Sequence, residues 1–346
     1  MRRLWIVAVF GAGLGLILVL NTGGLAQGLP QRVFFQIATG STGGTSFPIG
    51  ELIAEIVSHP SGLGRCETRG VCGPPGLIVS ARSSDGAIAN LLAVDAGSVD
   101  SGLAQNNVVA DAIAGRGAFR SVGRQTHLRV IASLFPETVQ LAVATKSHIA
   151  KVGDLRGKRV VLGADGSGTG VIAREVLSAY GVSERSVKVR RDAADHDADL
   201  IHRGQIDAFF FVGGSPAPLI ADLLASGKAR LVPIDGGGRR ALLKRVPSLT
   251  ADAIPAGVYP GTGTLQSVSG RALWVVKDTA APEIVYGLVR ALFNPANRAL
   301  LDDGPASASR VRLEDSTNGI TAPLHPGALR FYREMKLPLA PQRHRP

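Results

Sequence analysis

The sequence is poor in cysteine, in aromatic residues and in negative charge. Its 346 residues include two cysteines and 5% aromatic residues, and 38 Lys and Arg outnumber 27 Asp and Glu, which gives a formal net charge of +11. A basic chain suggests nucleic acid as a partner, but the basic residues are scattered and no Lys/Arg run is interleaved with aromatic residues. We therefore expect no nucleic-acid partner, and we interpret the charge as a solvated basic surface that aids the capture of anions.

The N-terminus is typical of an export signal. Two arginines precede an apolar run from Leu4 to Leu20, and the small residues at 24–26 offer a cleavage site after Ala26. The run contains three glycines and is short for a membrane span, so a cleaved signal peptide, residues 1–26, is favoured over a retained anchor. No later stretch of the sequence is long and apolar enough to cross a membrane. We expect a soluble mature protein outside the cytoplasm.

The two cysteines, Cys66 and Cys72, have five residues between them. In an exported protein such a close pair predicts a disulfide. A structural zinc site needs about four ligands, and His59 is the only histidine close to the two cysteines in the sequence. We therefore expect a Cys66–Cys72 disulfide, and we expect neither a metal nor another cofactor.

Two glycine-rich turns each lie between an apolar strand and a helix. The first turn, residues 40–45, follows a strand at 33–38, and the second, residues 166–170, follows a strand at 159–164. Glycine lets backbone N–H groups approach a ligand closely, and the first N–H groups of a helix are unpaired and carry a partial positive charge. Each turn is therefore a candidate anion-binding site, and together they predict one anionic ligand held between two similar lobes.

Neither turn matches a nucleotide-binding motif. A dinucleotide fingerprint that starts at Gly166 needs a glycine where Val171 stands, and both turns lack the lysine of a P-loop. A tight structural turn between strand and helix is the alternative interpretation of each.

Strands and helices alternate along the chain. Residues 130–134 and 139–143 are predicted as two separate strands, and Pro216 is predicted to open a helix. Such alternation predicts mainly parallel sheets flanked by helices, with ligands bound beyond the carboxyl ends of the strands. About 320 residues after cleavage (346 − 26) imply two domains.

An exported hydrolase and a partner-binding module are the alternatives to a ligand receptor. Residues 213–217 resemble a nucleophile elbow, but the final glycine is missing and Pro216, which has no N–H for an oxyanion hole, follows Ser215. His196 and His202 lie on a predicted helix with several aspartates, which is typical of a solvated face. Because no segment combines a nucleophile, a base and an orienting group, we expect no enzyme.

Taken in order, the motifs resemble those of the TAXI family. These are the exported solute receptors of one branch of the TRAP transporters (tripartite ATP-independent periplasmic transporters). The match covers nearly all of the chain after the signal. It is carried by the segments Thr39–Gly50, Cys72–Ile78, Gly97–Asn107, Leu128–Val143, Asp154–Gly170, Gly204–Pro218, Ile254–Gly261 and Pro323–Glu334.

The resemblance implies a type II periplasmic-binding-protein fold with two α/β lobes. Lobe I is expected to combine residues 31–135 with 271–346, and lobe II to span 136–270. The chain would cross between them near residues 135–139 and 268–273. The family implies no catalysis. It implies instead a small anionic or zwitterionic ligand, such as a glutamate-like amino acid, a dicarboxylate or a 2-oxo acid, carried by a monomeric periplasmic protein to a TRAP-type membrane permease.

The resemblance also assigns ligand-binding residues, and some of them have a structural alternative. Asn106 and its neighbours are also suited to capping the next helix, and Glu137 to accepting from a ligand amino group or to locking a loop. Phe211 is as suited to the core as to a pocket wall. The sequence departs from the family at Asn107, where an acid is common, at Gln140, where histidine is common, and at Ala87, where serine is frequent. The assigned residues are Gly43, Gly44, Thr45, Phe47, Gln105, Asn106, Pro136, Glu137, Ser167, Gly168, Thr169, Phe211, Gly213 and Gly214.

Overall fold

The computed structural model describes residues 32–192 and 194–339 and contains ten strands and ten α-helices in those ranges. The strands are β1 (Val33–Ala38), β2 (Leu77–Arg82), β3 (Ser101–Gln105), β4 (Leu128–Ala144), β5 (Arg159–Val161), β6 (Lys188–Arg190), β7 (Ala208–Gly213), β8 (Ala229–Val232), β9 (Thr250–Ile254) and β10 (Leu265–Lys277). The helices are α1 (Ser46–Val57), α2 (Ala87–Ala96), α3 (Asn106–Ala114), α4 (Gly168–Ala179), α5 (Ala194–His202), α6 (Pro218–Ala225), α7 (Gly236–Arg245), α8 (Pro282–Leu292), α9 (Arg298–Asp302) and α10 (Pro326–Glu334).

All described strands belong to one sheet with the order β2-β1-β3-β10-β4-β7-β5-β6, in which β8 also pairs with β4 and β9 with β10. The pairs β1–β2, β1–β3, β5–β6 and β5–β7 are parallel. The long strands β4 and β10 run antiparallel to every neighbour. The predicted α/β fold is confirmed, but the prediction of mainly parallel pairing is wrong. Pairing is parallel towards the two ends of the sheet and antiparallel through its middle, because β4 and β10 run antiparallel to their neighbours.

The two long strands connect the two ends of this sheet. β4 has 17 residues and β10 has 13. They run side by side, and Pro136 pairs with Arg271 and Glu137 with Gly270 near the middle of β4. The two strands predicted at 130–134 and 139–143 are therefore one continuous strand. Its first part pairs with the end of β10, and its second part pairs with β7 and β8.

The buried apolar residues form separate clusters that divide along the length of these two long strands. One cluster, core I, draws on residues 35–135 and 272–332. Two others, together core II, draw on residues between 139 and 268. In core I the fully buried Trp274 of β10 donates its indole N–H to Ser101 Oγ of β3 (3.0 Å), which satisfies the one polar atom of a large apolar side chain.

Cys66 and Cys72 are joined by a disulfide, with a Cα–Cα distance of 5.2 Å, as the sequence predicts. Within the described ranges, no helix is long and apolar enough to span a bilayer. The predicted signal peptide, residues 1–26, lies outside those ranges.

Candidate functional site

A cavity of about 120 Å³ lies beyond the carboxyl ends of the strands, where α/β sheets bind ligands. Its size suits a small molecule, since a cavity of roughly 150 Å³ accommodates benzene. Both cores contribute to its wall. The lining residues are Thr39, Gly40, Ser41, Gly44, Thr45, Ser46, Ser84, Asp85, Gly86, Ala87, Leu103, Gln105, Glu137, Gly163, Ala164, Ser167, Gly168, Thr169, Asp192, Asp197, Phe210, Phe211 and Val212.

The first glycine-rich turn brings the start of α1 to this cavity. Thr45 occupies the N-cap position of α1, but its side chain makes no capping hydrogen bond. Its hydroxyl oxygen instead accepts a hydrogen bond from the N–H of Gly214 (3.0 Å), which follows β7 in the other half of the chain. The first N–H groups of α1, at Ser46 and Phe47, have no partner within the helix. This end of α1 therefore offers donors to an anionic group.

The second turn brings the start of α4 to the opposite wall. Ser167 caps α4, and its hydroxyl oxygen accepts from Gly170 N–H (3.1 Å) and donates to Ala164 O (2.7 Å). The N–H groups of Gly168 and Thr169 remain without an intrahelical partner. The cavity is thus bordered by two helix N-termini that belong to different halves of the chain.

Gly168 also allows a close contact across the cavity. The Gln105 side chain lies so near that a Cβ at Gly168 would overlap its amide oxygen. A second contact joins the halves nearby, where Ile88 N–H donates to Gly166 O (2.9 Å). Glycine is needed at position 168 because any side chain would displace Gln105.

Gln105 and Glu137 form a buried polar pair in the cavity wall. They are 8% and 2% exposed, and Gln105 Nε2 donates to Glu137 Oε1 (3.1 Å). Gln105 Oε1 and Glu137 Oε2 accept no hydrogen bond from any described residue. Burial raises the pKa of Glu137 to about 8, and the hydrogen bond from Gln105 offsets only part of that rise. Two buried acceptors therefore lie in the cavity wall without a donor.

The charged side chains that line the cavity are all acidic. Besides Glu137 they are Asp85, Asp192 and Asp197, and no Lys, Arg or His is among the lining residues that the structure describes. Among all the residues that the structure describes, no group of three or more His, Cys, Asp or Glu side chains could hold a metal ion. Among the lining groups, positive potential therefore comes from backbone N–H groups at the two helix ends.

The structure brings most of the predicted ligand-binding residues to the cavity. Those that line it are Gly44, Thr45, Gln105, Glu137, Ser167, Gly168, Thr169 and Phe211. Phe211 has both roles considered for it, because it lines the cavity and is packed in core II. Those that do not line it are Gly43, Phe47, Asn106, Pro136, Gly213 and Gly214.

Asn106 has a structural role in this state. Its amide nitrogen donates to Ser248 O (3.0 Å) and Gly319 O (3.2 Å), and its amide oxygen accepts from Arg271 N–H (3.2 Å). These contacts tie the start of α3 to β10. Asn106 therefore holds the start of α3 beside the part of β10 that pairs with Pro136 and Glu137.

Gly213 and Gly214 lie against protein side chains and do not border open space. A Cβ at Gly213 would lie 2.5 Å from Thr45 Oγ1, and one at Gly214 would overlap Ser307 Oγ. Gln140, one of the departures from the family, supports this segment by donating from Nε2 to Gly214 O (3.2 Å) and accepting from Tyr259 O–H (2.6 Å). The glycine pair is therefore a packing point for Thr45 and Ser307.

Several lining residues are not among those predicted from the sequence. Ser84 and Asp85 follow β2, and Asp192 follows β6, so the rule that sites form beyond strand ends could have found them. The helix carrying His196 and His202 was interpreted as a solvated face. That interpretation is wrong for Asp197, which is 1% exposed and lines the cavity, because this residue lies on the inner face of α5.

Comparison with known proteins identifies a family match and a shared fold. The model of the NMT1-like family matches residues 37–335. The binding-protein component of an ABC phosphonate transporter from Pseudomonas aeruginosa has a TM-score of 0.52 at 11% identity, covering 84% of each chain. The alkanesulfonate-binding protein SsuA from Xanthomonas axonopodis pv. citri, bound to MOPS, has a TM-score of 0.45 at 18% identity, covering 81% of this chain and 82% of that one. At these identities the likeness concerns the fold alone.

Proposed function

The chain belongs to the NMT1-like family, and from this membership and the cavity between its two cores we propose that it is a transporter's solute receptor. It binds a small anionic or zwitterionic metabolite and delivers it to a membrane permease without chemical change. The ordered set of TAXI motifs favours a TRAP transporter of the TAXI type. The candidate ligands are a glutamate-like amino acid, a dicarboxylate and a 2-oxo acid.

One observation carries this proposal. Two helix N-termini from different halves of the chain, those of α1 and α4, border one small cavity. Each offers unpaired N–H groups and a partial positive charge, which together favour a carboxylate or similar anion. A ligand bound by both helix N-termini would hold the two halves of the chain together. A transport receptor needs such a difference between its bound and empty forms, so that the permease can distinguish them.

We propose that the two halves are lobes that close on the ligand, with lobe I at 31–135 plus 271–346 and lobe II at 136–270. The separation of core I from core II supports this division. The paired strands β4 and β10 are the only strands shared by both lobes among those described, and the hinge would lie at their paired residues 136–138 and 269–271. Small-angle scattering should give a smaller radius of gyration at saturating ligand, and an unchanged radius would count against closure.

The sequence 213–217 does not support hydrolysis in this fold. The N–H of Ala217, the nearest one after Ser215, donates to Tyr259 Oη (2.9 Å). It is therefore not free to stabilise an oxyanion. A receptor without catalysis accounts for this segment better than a hydrolase.

The cheapest test of ligand binding starts from freshly purified protein. Mass spectrometry of the compound released on denaturation should identify a small carboxylate, and that compound should raise the melting temperature when added back. Methylphosphonate and methanesulfonate serve as comparison ligands. Conversion of the released compound to a product on incubation would favour an enzyme instead.

The type of transporter is tested separately. The periplasmic receptor, exported with cleavage after Ala26 and acting as a monomer, should support ligand uptake by a TRAP-type permease in proteoliposomes that contain no ATP. Uptake that requires ATP hydrolysis would assign the receptor to an ABC transporter, as in its structural neighbours, and would leave solute binding intact.

A further inference from the structure

Two acceptor atoms in the cavity wall call for a donor that the protein does not supply. Glu137 Oε2 and Gln105 Oε1 belong to side chains that are more than nine-tenths buried, and no described residue donates to either. Buried polar atoms in native proteins are nearly always hydrogen-bonded. The donor for this pair is therefore expected to come from the ligand.

The charges around this pair favour a positive donor. Asp85, Asp192 and Asp197 line the same cavity as Glu137, and no described Lys, Arg or His does. The N-termini of α1 and α4 favour a negative group. A dianion would add negative charge beside four acidic side chains, whereas a ligand with one ammonium and one carboxylate meets both requirements.

We propose that Glu137, supported by Gln105, accepts a hydrogen bond from a protonated amino group of the ligand, so that the receptor selects amino acids over the corresponding 2-oxo acids. This inference rests on the proposed function as a receptor for a small anionic or zwitterionic metabolite. An ammonium offers three N–H donors, enough for both free acceptors. A 2-oxo group offers only acceptors: it can pair with Glu137 only while that carboxyl keeps its proton, and it leaves Gln105 Oε1 without a donor.

Selection of this kind is strong in principle. A buried site built to hydrogen-bond one group rejects the analogue that lacks it, because the polar groups of the site are then left unpaired. We expect a preference of at least about 100-fold for the amino acid of each matched pair.

The experiment compares pairs of ligands that differ at one position, L-glutamate with 2-oxoglutarate and L-alanine with pyruvate. Isothermal titration calorimetry gives their affinities for the wild-type protein, for Glu137→Gln and for the control Glu51→Gln, an exposed position on the same helix as the first anion-binding end. Wild type and control should share the preference. Glu137→Gln should lose at least ten-fold in affinity for the amino acid and gain for the 2-oxo acid, because an amide can donate to an oxo group.

A second measurement on the wild-type protein covers the case in which Glu137→Gln does not fold. Burial holds the pKa of Glu137 at about 8 in the empty site, and a bound ammonium would lower it. Titrations at pH 7 in buffers of different ionisation enthalpy should therefore show proton release on binding of the amino acid. Proton uptake would contradict the proposal.

Two outcomes separate this inference from the proposed function. A wild-type protein that binds the 2-oxo acid as tightly as the amino acid overturns the role of Glu137 and leaves the receptor function standing. A wild-type protein that binds neither member of any pair, nor any other small carboxylate, overturns both.

Discussion

The two glycine-rich turns follow one plan and make different contacts. In the first, the hydroxyl of Thr45 leaves α1 uncapped and accepts from Gly214 N–H in the other half of the chain. In the second, the hydroxyl of Ser167 accepts from Gly170 N–H within its own helix. The first turn is therefore completed by distant residues and the second by its own. A turn sequence predicts where backbone N–H groups will lie, but not which partner its capping side chain will take.

Filling the cavity from both turns at once should have the largest effect. We expect the double variant Thr45→Trp with Thr169→Trp to lose ligand binding altogether, because two indole rings exceed a cavity of about 120 Å³. Both residues lie at helix starts, so the circular dichroism spectrum should be unchanged. The exposed Thr68→Trp is the control. Unchanged affinity of the double variant, measured by calorimetry, would mean that the ligand binds elsewhere.

Adding one methyl group to each turn should sharpen the comparison. At Gly168 the new Cβ would overlap the Gln105 side chain, whereas at Gly40 it would meet nothing within 4 Å. Gly168→Ala should displace Gln105 from Glu137 and weaken ligand binding by about 10- to 100-fold, the loss of a charge-assisted hydrogen bond. Gly40→Ala, which leaves Gln105 in place, should bind more tightly than Gly168→Ala does. Equal affinities of the two variants would show that Gln105 plays no part in binding.

The carboxyl that Gln105 contacts should make stability depend on pH. Burial raises the pKa of Glu137 from 4.5 to about 8, so the folded, ligand-free protein holds this proton more tightly than the unfolded chain. Its contribution to stability is therefore greatest below pH 4.5 and is lost as the pH rises to about 8. Glu137→Gln, which has no proton to lose, should be more stable than wild type at pH 9, by up to about 5 kcal/mol.

Urea unfolding of wild type, Glu137→Gln and Glu51→Gln between pH 4 and pH 9 measures this difference. Wild type and Glu51→Gln should follow the same curve, and the Glu137→Gln curve should approach them near pH 4. Parallel curves for all three proteins would mean that Glu137 is not desolvated in solution.

Removing the capping hydroxyls should give the smallest effects and should separate the turns. Ser167→Ala should lower the free energy of unfolding by about 1 kcal/mol, since it removes an N-cap. Thr45→Val should change that free energy by less, about 0.5 kcal/mol, because its hydroxyl caps no helix. It should instead weaken ligand binding several-fold by removing a contact between the halves. A larger loss of stability in Thr45→Val than in Ser167→Ala would reverse the comparison.

Local features of the fold could be predicted because they depend on neighbouring residues. The turn at 166–170 precedes α4 as its glycines indicate, and Gly97 ends α2 with a left-handed φ of 78°, which favours glycine. The helix predicted to open at Pro216 is α6, and it begins two residues later, at Pro218.

Features that depend on distant residues could not be predicted. The sequence of β4 predicts two strands because Pro136 interrupts the apolar alternation. The strand is continuous there because Pro136 and its neighbours pair with β10. α7 begins with three glycines and buries only Leu242, so its sequence carries almost no helical signal. At the site, Asp197 and Ser307 are brought into place by tertiary packing alone. The pairing of Gln105 with Glu137 likewise joins residues 32 positions apart.

The position of β10 beside β3 has a consequence for how the chain assembles. Ser101 pairs with Val276, and Trp274 of β10 fills core I, so core I and its part of the sheet stay incomplete until the last quarter of the chain has been made. The loop between Ser101 and Val276 must close before the contacts that stabilise it can form, and closing so long a loop is slow. A chain that emerges from its N-terminus onwards would therefore remain open and threadable until residue 276 is available, which is the condition that a narrow export channel imposes on its cargo.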